Sequence, residues 1–444
     1  MLIGDEPLEP AAVAAAARSG PLRVQLSGAA RERIAAGHAA AVAAAAQRPV
    51  YGRTTGVGAN RHVAVAEDAV EHGRRLLRSH AGGVGAPLGA EVVRAAMLIR
   101  LNQIARGGGG SRPEVADALA ARLAADDPPV LRGLGGLGTG DLTVLAQLGL
   151  ALGDALGEGD ALPFMSSNAV TFAVAALAWA DLRELLDAGL AVAAETFVAL
   201  RGNPEAYAEP VAAARPLPGL VAVSATLRRL TAETAHAPAR LQDPFGLRTL
   251  PQVGGALSDA LAALHGVLAV ELGAASENPL VTGAGVFHHG GFHAASAALA
   301  LDTARLALVP FGDLSLARLS ALMEPGLTGL EPFLSGGAPG SSGLMIAEYV
   351  GADALARLRA LAVPTTTGGV SISRGLEEHA SFAWQGAQQA REAVGHLRTL
   401  LALEHVAARR ALDGSVADDA EIAADVERAE AELPGLAQAA RDAG

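Results

Sequence analysis

The feature that most constrains the fold is helical periodicity sustained over long, apolar stretches. Residues 169–200 are apolar except on one stripe, and three further stretches, residues 115–125, 257–272 and 294–309, repeat apolar residues at intervals of three and four. The alternation typical of strands is scarce. Since 51% of the residues are hydrophobic but only 3% aromatic, the core is built from small side chains that let helices approach closely. The sequence predicts an all-α fold of long, nearly buried helices.

Gly-rich connections separate these helices, and none has the length or polarity of a disordered linker. No internal repeat is visible. We therefore expect one helical body, with an N-terminal part over residues 1–165, a central long-helix bundle over residues 166–395 and an acidic helical cap over residues 396–444.

Composition excludes several chemistries. The chain has no Lys and no Cys, so a lysine Schiff base, a P-loop lysine, thiol nucleophiles and disulfides are ruled out. The net charge of −12 and the few aromatic residues disfavour nucleic-acid binding. The acidic, Pro-containing N-terminus is unlike a signal peptide, and the most apolar runs look too short to span a membrane. We expect a cytoplasmic protein.

Two motifs resemble cofactor sites, one for a dinucleotide and one for a metal, but the surrounding sequence disfavours both. Gly133, Gly135 and Gly138 have the dinucleotide-binding spacing, but Asp-Asp-Pro-Pro lies just upstream and no parallel-strand pattern follows. A Gly-rich loop that leads into a helix, with Asp141 in its first turn, is the simpler interpretation. His288, His289 and His293 lie in Gly-rich sequence that disfavours a metal-binding helix, so we expect no metal site.

Polar residues in apolar surroundings are more informative. Asn168 opens the long helix that follows Ser166 and Ser167, where it could also be an N-cap. Glu377 and Glu378 precede His379, and a carboxylate near a His can act as an acid or base. Tyr51 lies in a Gly-flanked loop, a position that favours a chemical role for its hydroxyl over simple packing.

Taken together, these segments resemble the histidine/phenylalanine ammonia-lyase family, whose electrophile is 4-methylideneimidazol-5-one (MIO). The resemblance covers roughly residues 50–394 and consists of short motifs that occur in the same order along the chain. They are residues 50–58, 78–85, 100–107, 242–248, 277–280, 291–293, 341–347 and 376–379. The resemblance implies an all-α homotetramer whose active sites are built from several subunits.

The resemblance also implies roles for individual residues. Tyr51 is the expected catalytic base, Arg248 binds a carboxylate and His80, next to Ser79, sets selectivity as in the histidine enzymes. Further expected contacts to substrate are Asn168, Phe245 and Phe292, and Glu377 is the expected second acid/base.

The departures concern the electrophile. The family makes MIO from Ala-Ser-Gly, whereas this chain has Gly138, Thr139 and Gly140. Cyclisation of Thr139 would leave an extra methyl group on the electrophilic carbon, and Thr is stiff at χ1. The family also has Tyr where this chain has Phe245, and Gly where it has Ala169.

The leading hypothesis is therefore an enzyme without MIO or any other cofactor. It would use Tyr51 for acid/base elimination or conjugate addition on a small carboxylate- or carbonyl-bearing metabolite. One alternative is a genuine histidine-like ammonia-lyase with a methylated MIO derived from Thr139. The other is a non-catalytic scaffold.

Overall fold

The computed structural model is mostly helical, which confirms the predicted fold class. It describes residues 1–65, 68–336, 339–414 and 419–442. In chain order the helices are α1 Pro10–Arg18, α2 Gly28–Gln47, α3 Ala69–His80, α4 Ala90–Ile104, α5 Pro113–Ala125, α6 Leu142–Leu152, α7 Ala161–Met165, α8 Ala169–Ala199, α9 Glu209–Ala213, α10 Pro218–Leu230, α11 Phe245–Arg248, α12 Leu250–Glu271, α13 Ala295–Leu322, α14 Pro325–Thr328, α15 Met345–Leu361, α16 Ala383–Asp413 and α17 Ala423–Asp442.

The strands in the described residues are short and form three separate pairs. β1 (Leu2–Ile3) pairs in parallel with β2 (Gln25–Leu26), whereas β3 (Val84–Pro87) with β4 (Arg132–Leu134), and β5 (Leu280–Thr282) with β6 (Gly285–Phe287), are antiparallel. Gly133 of the dinucleotide-like motif lies in β4. Because β4 pairs antiparallel with β3, the parallel βαβ context that this motif requires does not form here.

The long helices extend further than the periodicity predicted. α5 and α8 agree with the prediction to within two residues, but α12 begins at Leu250 rather than at 257. α13 was expected to end near 309 and instead continues through Pro310 to Leu322. Leu308 and Phe311 are buried on either side of this proline, so their packing outweighs the lost backbone hydrogen bond.

The expectation that no stretch is long enough to span a membrane was wrong, because two helices have the necessary length and apolar composition. Residues Ala161–Ala199 and Leu250–Glu271 both pass that test. The apolar window of the first is completely buried inside the protein, and that of the second is 39% buried. Core helices pass the same test, so these two stretches are weak evidence for membrane insertion.

The chain divides into two compact units. The first comprises Met1–Ala180, His265–Leu301 and Pro364–Gln388, and the second Asp181–Leu264, Asp302–Val363 and Gln389–Gly444. The division into parts 1–165, 166–395 and 396–444 stays a prediction, and residues 415–418 and 443–444 of the expected cap lie outside the described residues.

The core of the first unit surrounds α4, which is buried over nearly all of its length between Val92 and Ile104. Arg100 of this helix is fully buried and donates to the Glu277 carboxylate at 2.7 Å and to the carbonyl oxygens of Pro163 and Phe164. Buried charges are stable only when they are paired in this way. The pair therefore fixes the loop that follows α12 and the end of α7.

The second unit has a comparable buried pair. Arg318 of α13 donates to both carboxylate oxygens of Glu404 in α16, at 2.6 and 2.8 Å. The hydroxyl groups of Thr196 and Ser315 donate to the same carboxylate. The Glu404 carboxylate thus accepts a bidentate contact from Arg318 and two further hydrogen bonds from the hydroxyl groups. Together these bonds fix α8, α13 and α16 relative to one another.

Candidate active site

A cavity of about 980 Å³ lies within the first unit. Five of the residues expected from the sequence line it, namely Tyr51, His80, Thr139, Phe292 and Glu377. A cavity of this size, with converging polar groups, is typical of a small-molecule site. The fold thus brings together residues that are more than three hundred positions apart.

Two hydrogen bonds fix Tyr51, one within its own loop and one to His288. Its hydroxyl oxygen accepts a hydrogen bond from Gly58 N–H at 2.7 Å, and its backbone N–H donates to His288 Nε2 at 3.2 Å. Burial raises the pKa of Tyr51 above its ordinary value. The Gly58 N–H and the Arg61 charge lower this pKa and the Glu377 carboxylate raises it, but burial is the largest cause. The phenol form is therefore favoured at neutral pH.

Gly58 allows the Tyr51 loop to approach the loop that carries Glu377. It has φ +56°, and a Cβ there would lie 2.6 Å from Ser373 Oγ and 3.4 Å from Glu377 Oε1. The Ser373 hydroxyl accepts from Ala59 N–H at 3.1 Å, which ties the two loops together. A residue with a side chain at position 58 would separate them.

His80 is the last residue of α3. Its Nδ1 lies 2.9 Å from the Leu76 carbonyl oxygen, and because a carbonyl only accepts, Nδ1 carries the hydrogen. In the neutral ring Nε2 is then the acceptor. The end of the helix thus fixes the tautomer that His80 presents in the cavity.

The altered triplet forms a tightly held loop. Gly138 has φ +70° and Gly140 has φ +92°. The Gly138 carbonyl oxygen accepts from Ser381 Oγ at 2.5 Å and from Ala294 N–H at 3.2 Å. Gly140 N–H donates to Asn168 Oδ1 at 2.9 Å. Both ends of the triplet are therefore fixed by hydrogen bonds, with Thr139 between them at the cavity.

This loop does not fit the MIO group in its usual form. A Cβ at position 138 would collide with Ser381 Oγ and would lie 2.6 Å from Ala383 N, so the alanine of the usual triplet has no room in this conformation. Thr139 also carries a methyl group that the usual serine lacks. The loop geometry is matched to glycine at position 138.

Asn168 was expected to contact substrate, but the structure buries it. It is 2% exposed and is not among the cavity-lining residues. Its Oδ1 accepts from Gly140 N–H and its Nδ2 donates to the Phe292 carbonyl oxygen at 2.6 Å. Asn168, directly before α8, thus connects the triplet loop with the segment that contains Phe292.

The sequence placed Asp141 in the first turn of the following helix, but the structure places it directly before α6, and its carboxylate serves another helix. It accepts from the N–H and the hydroxyl of Thr171 in the first turn of α8, both at 2.7 Å. Burial raises the pKa of Asp141 to about 6, although these hydrogen bonds act against the rise. The carboxylate therefore links the triplet loop to the α8 N-terminus.

Two expected substrate contacts, Phe245 and Arg248, do not line this cavity. Both belong to the second unit, where the Arg248 guanidinium stacks over the Phe245 ring at 4.5 Å. The Phe245 side chain is 63% exposed. The cation whose charge lowers the pKa of Tyr51 is Arg61, which lines the cavity.

Sequence reasoning missed Arg61, Ser373 and Ser381. Arg61 lies three residues beyond the Tyr51 motif, and a cation so close to an expected catalytic phenol was a usable signal. Ser373 and Ser381 act through their hydroxyl groups on loops that are distant in sequence, and no spacing rule reveals such contacts. Among the described residues no group of three or more His, Cys, Asp or Glu has a metal-binding arrangement.

Comparison with known proteins identifies the family to which the chain is similar. The family model for aromatic amino acid lyases matches residues 8–161 and 154–433. The chain is 34% identical over 428 residues to a histidine ammonia-lyase of Deinococcus radiodurans, covering 88% of this chain and 82% of that protein. It is 35% identical over 443 residues to a histidine ammonia-lyase of Streptomyces griseus, covering 90% and 85%.

A solved structure shows the same fold. The tyrosine aminomutase of Streptomyces globisporus superposes with a TM-score of 0.91 at 24% identity, over 100% of this chain and 98% of that one. The chain therefore belongs to the aromatic amino acid lyase family.

Proposed function

We propose that this chain eliminates an amine from a small amino-acid substrate that carries an imidazole and a carboxylate. The relatives named histidine ammonia-lyase support a histidine-like substrate, and they favour this reaction over the MIO-independent chemistry that the sequence put first. The Ser79–His80 pair at the end of α3 is consistent with that substrate class. The observation that carries the proposal is the convergence of Tyr51, His80 and Glu377 on one cavity.

In this proposal each side chain has a defined task. Tyr51 transfers a proton, and the Gly58 N–H and Arg61 keep its oxygen polarised. Glu377 contacts the amine, since a carboxylate attracts an ammonium group. His80 accepts from the polar end of the substrate through Nε2. Phe292 gives the cavity an apolar wall.

Turnover of L-histidine tests this function directly. Elimination releases ammonia and leaves a double bond conjugated with the imidazole, which absorbs in the near ultraviolet. We expect both products in equal amounts from the purified chain. Absence of ammonia at enzyme concentrations that would detect a few turnovers would contradict the proposal.

A second candidate is favoured by the triplet loop itself. Because the triplet carries Thr139, whose methyl group would lie on the electrophilic carbon, we propose that no MIO forms. Acid/base catalysis alone supplies roughly 10²–10⁴-fold acceleration, too little to remove the weakly acidic proton of a free amino acid. The substrate would then carry a more acidic proton or a better leaving group, or the reaction would be a conjugate addition.

These candidates differ in the state of residues 138–140. A methylated MIO derived from Thr139 would support deamination of free histidine, with the group supplying an electrophile that acidifies the substrate proton. An open peptide would require an activated substrate. The mass of the purified chain separates them.

The missing carboxylate-binding group points to a second copy of the chain. We propose that Arg248 and Phe245 of one copy complete the cavity of another, in the homotetramer that the family resemblance implies. Phe245 is exposed, and so are Leu241 and Tyr349 of the same unit and Val270 of α12. Exposed large apolar residues of this kind are typical of surfaces that bind another protein.

A further inference from the structure

Two carboxylates line the cavity, those of Glu377 and Glu378. Among the described residues neither forms an ion pair or a side-chain hydrogen bond, whereas the buried carboxylates of Glu277 and Glu404 are both paired with arginines. An ammonium group that enters the cavity therefore meets negative charge that no ion pair has already neutralised. Coulomb attraction of this kind acts on any cation, whether or not its nitrogen carries hydrogen.

The carboxylate of Glu377 and the hydroxyl oxygen of Tyr51 are neighbours. A Cβ at Gly58 would lie 3.4 Å from Glu377 Oε1, and Gly58 N–H donates to the Tyr51 oxygen at 2.7 Å. In the proposed elimination the leaving nitrogen and the departing hydrogen lie on adjacent carbon atoms, so the groups that contact them have to be close together. Tyr51 and Phe292 also bring aromatic rings to the cavity, and aromatic rings bind quaternary ammonium groups.

The altered triplet constrains the leaving group. The serine of the usual triplet is the source of the electrophile, whereas this chain has Thr139, whose methyl group would lie on the electrophilic carbon. Hydrogen bonds fix Gly138 and Gly140 on either side of Thr139. With an unmodified Thr139, the amine leaves in the form in which the substrate brings it. A nitrogen bonded to four carbon atoms remains a good leaving group at every pH, because it has no proton to lose.

The protonation states of Tyr51 and of a free amino group point to the same leaving group. A tyrosine removes a carbon-bound proton as the phenolate, and burial raises the pKa of Tyr51 above its ordinary value. An α-amino group loses its proton at a lower pH than a phenol does, with reference pKa values of about 8 and about 10. A neutral amino group is a very poor leaving group, because it would have to depart as an amide ion. A quaternary nitrogen avoids this conflict.

We propose that the preferred substrate is an Nα-trimethylated amino acid of the histidine type, so that the amine released is trimethylamine. The inference rests on the proposed elimination of an amine and on an unmodified Thr139. The Tyr51 phenolate takes the proton from the carbon next to the imidazole ring, and the C–H electron pair becomes the new C=C bond. The C–N bond breaks with its electrons on nitrogen. Neutral trimethylamine leaves without needing a proton, and Tyr51 then gives its proton to the solvent.

The ratio of kcat/KM for Nα,Nα,Nα-trimethyl-L-histidine to kcat/KM for L-histidine tests the inference. Both compounds give the same near-ultraviolet product, and trimethylamine or ammonia is measured beside it. We expect a ratio of at least about tenfold at pH 9 that grows as pH rises further, because the amino group of L-histidine loses its proton and the quaternary nitrogen does not. Both compounds meet the same protein, so the titrations of its own groups cancel in the ratio.

The outcomes separate this inference from the proposed function. A kcat/KM for L-histidine equal to or above that for the trimethylated compound would overturn the inference and leave the elimination of an amine standing. Product from the trimethylated compound alone would support the inference and show that free histidine is not the substrate. No product from either compound would contradict the proposed function, and the inference with it.

A binding measurement without turnover tests where the ammonium group lies. Tetramethylammonium chloride is the probe, and the broadening of its proton NMR signal reports binding to the full chain. We expect Glu377→Gln and Glu378→Gln each to weaken binding several-fold. The control Glu392→Gln removes an exposed carboxylate of α16 outside the cavity and should leave binding unchanged. Binding that is unchanged in both cavity variants, or absent from the wild type, would overturn the inference.

Discussion

Gly138 combines two constraints at a single residue. Its φ of +70° is a left-handed conformation, and Ser381 and Ala383 occupy the space that a Cβ would need. The left-handed region costs a residue with a side chain roughly 1–2 kcal/mol. The hydroxyl of Ser381 can approach the Gly138 carbonyl because the glycine leaves room for it.

Gly138→Ala is therefore expected to destabilise the protein by about 2–5 kcal/mol, the sum of backbone strain and overpacking. Denaturant unfolding measures this loss. The matched control is Gly395→Ala on the exposed side of α16, where a Cβ meets nothing within 4 Å. That change should stabilise by roughly 0.5–1 kcal/mol because Ala favours the helix. Equal effects at the two positions would contradict the described loop.

Tyr51→Phe removes only the hydroxyl. Because Tyr51 transfers a proton in the proposed reaction, kcat should fall roughly 10²–10⁴-fold. Stability should fall by about 1 kcal/mol, since Gly58 N–H loses its acceptor. Turnover and thermal unfolding measure the two effects separately. A variant with unchanged turnover would show that Tyr51 does not transfer the proton.

At the scale of helices, His405 of α16 connects three elements. Its side chain is only 4% exposed, and its two ring nitrogens lie 2.5 Å from Glu195 of α8 and 3.0 Å from Glu432 of α17. Ionised carboxylates only accept, so both ring nitrogens donate and the imidazole is charged. Burial lowers the pKa of His405, but the hydrogen bonds and charges of the two glutamates outweigh burial and raise it.

The sign of the resulting pH dependence follows from this raised pKa. The folded state holds the proton more tightly than the unfolded chain, so the stabilisation is complete below about pH 6.5 and is lost as pH rises through the folded-state pKa. His405→Gln should therefore cost about 1–3 kcal/mol near pH 5.5 and clearly less near pH 9. Denaturant unfolding at both pH values measures the difference.

The control for His405 is Arg31→Gln, which breaks an exposed pair with Asp117 in the first unit. Its effect should stay within about 0.5 kcal/mol, with little difference between the two pH values. A His405→Gln cost that grows with pH would show that the ring is neutral in the folded protein.

The elements also show which parts of the structure a sequence can predict. α5 and α8 were predicted nearly to the residue because their apolar periodicity is local. α13 was predicted too short, since Pro310 ends a helix by local rules but buried neighbours carry the helix onward. Asn168 was placed correctly at the start of α8, but its two hydrogen-bond partners are 28 and 124 positions away, where local rules do not reach.

At the scale of the whole molecule, the cavity and its expected carboxylate-binding residue belong to different units. The motifs that resemble the family predicted Tyr51, His80, Thr139, Phe292 and Glu377 as one site, because such motifs carry information about tertiary contacts that periodicity lacks. Phe245 and Arg248 were predicted for the same site but do not line it. Their place in an assembly stays a prediction.

Mixing two inactive variants tests whether another copy supplies Arg248. Tyr51→Phe and Arg248→Gln should each lose turnover when expressed alone. If Arg248 of one copy serves the cavity of another, co-expression restores part of the activity, because some cavities then contain both native residues. Light scattering should show an oligomer in each sample.

The control mixture contains Arg357→Gln in place of Arg248→Gln. Arg357 forms an exposed pair with Asp353 of the same helix, so this variant should be active when expressed alone. A monomeric, fully active wild type would contradict the shared site.

The two proposed functions make opposite predictions for residues 138–140. Deamination of free histidine needs a ring derived from Thr139, whereas the proposal argued from the triplet loop keeps an ordinary peptide there while the surrounding side chains transfer protons. The most direct test is the intact mass of the purified chain, followed by mapping of the peptide that contains Thr139. The proposal argued from the triplet loop predicts the mass of the unmodified sequence. A loss of two waters, about 36 Da, located at residues 138–140 would show that the ring has formed, would contradict that proposal and would support deamination of free histidine.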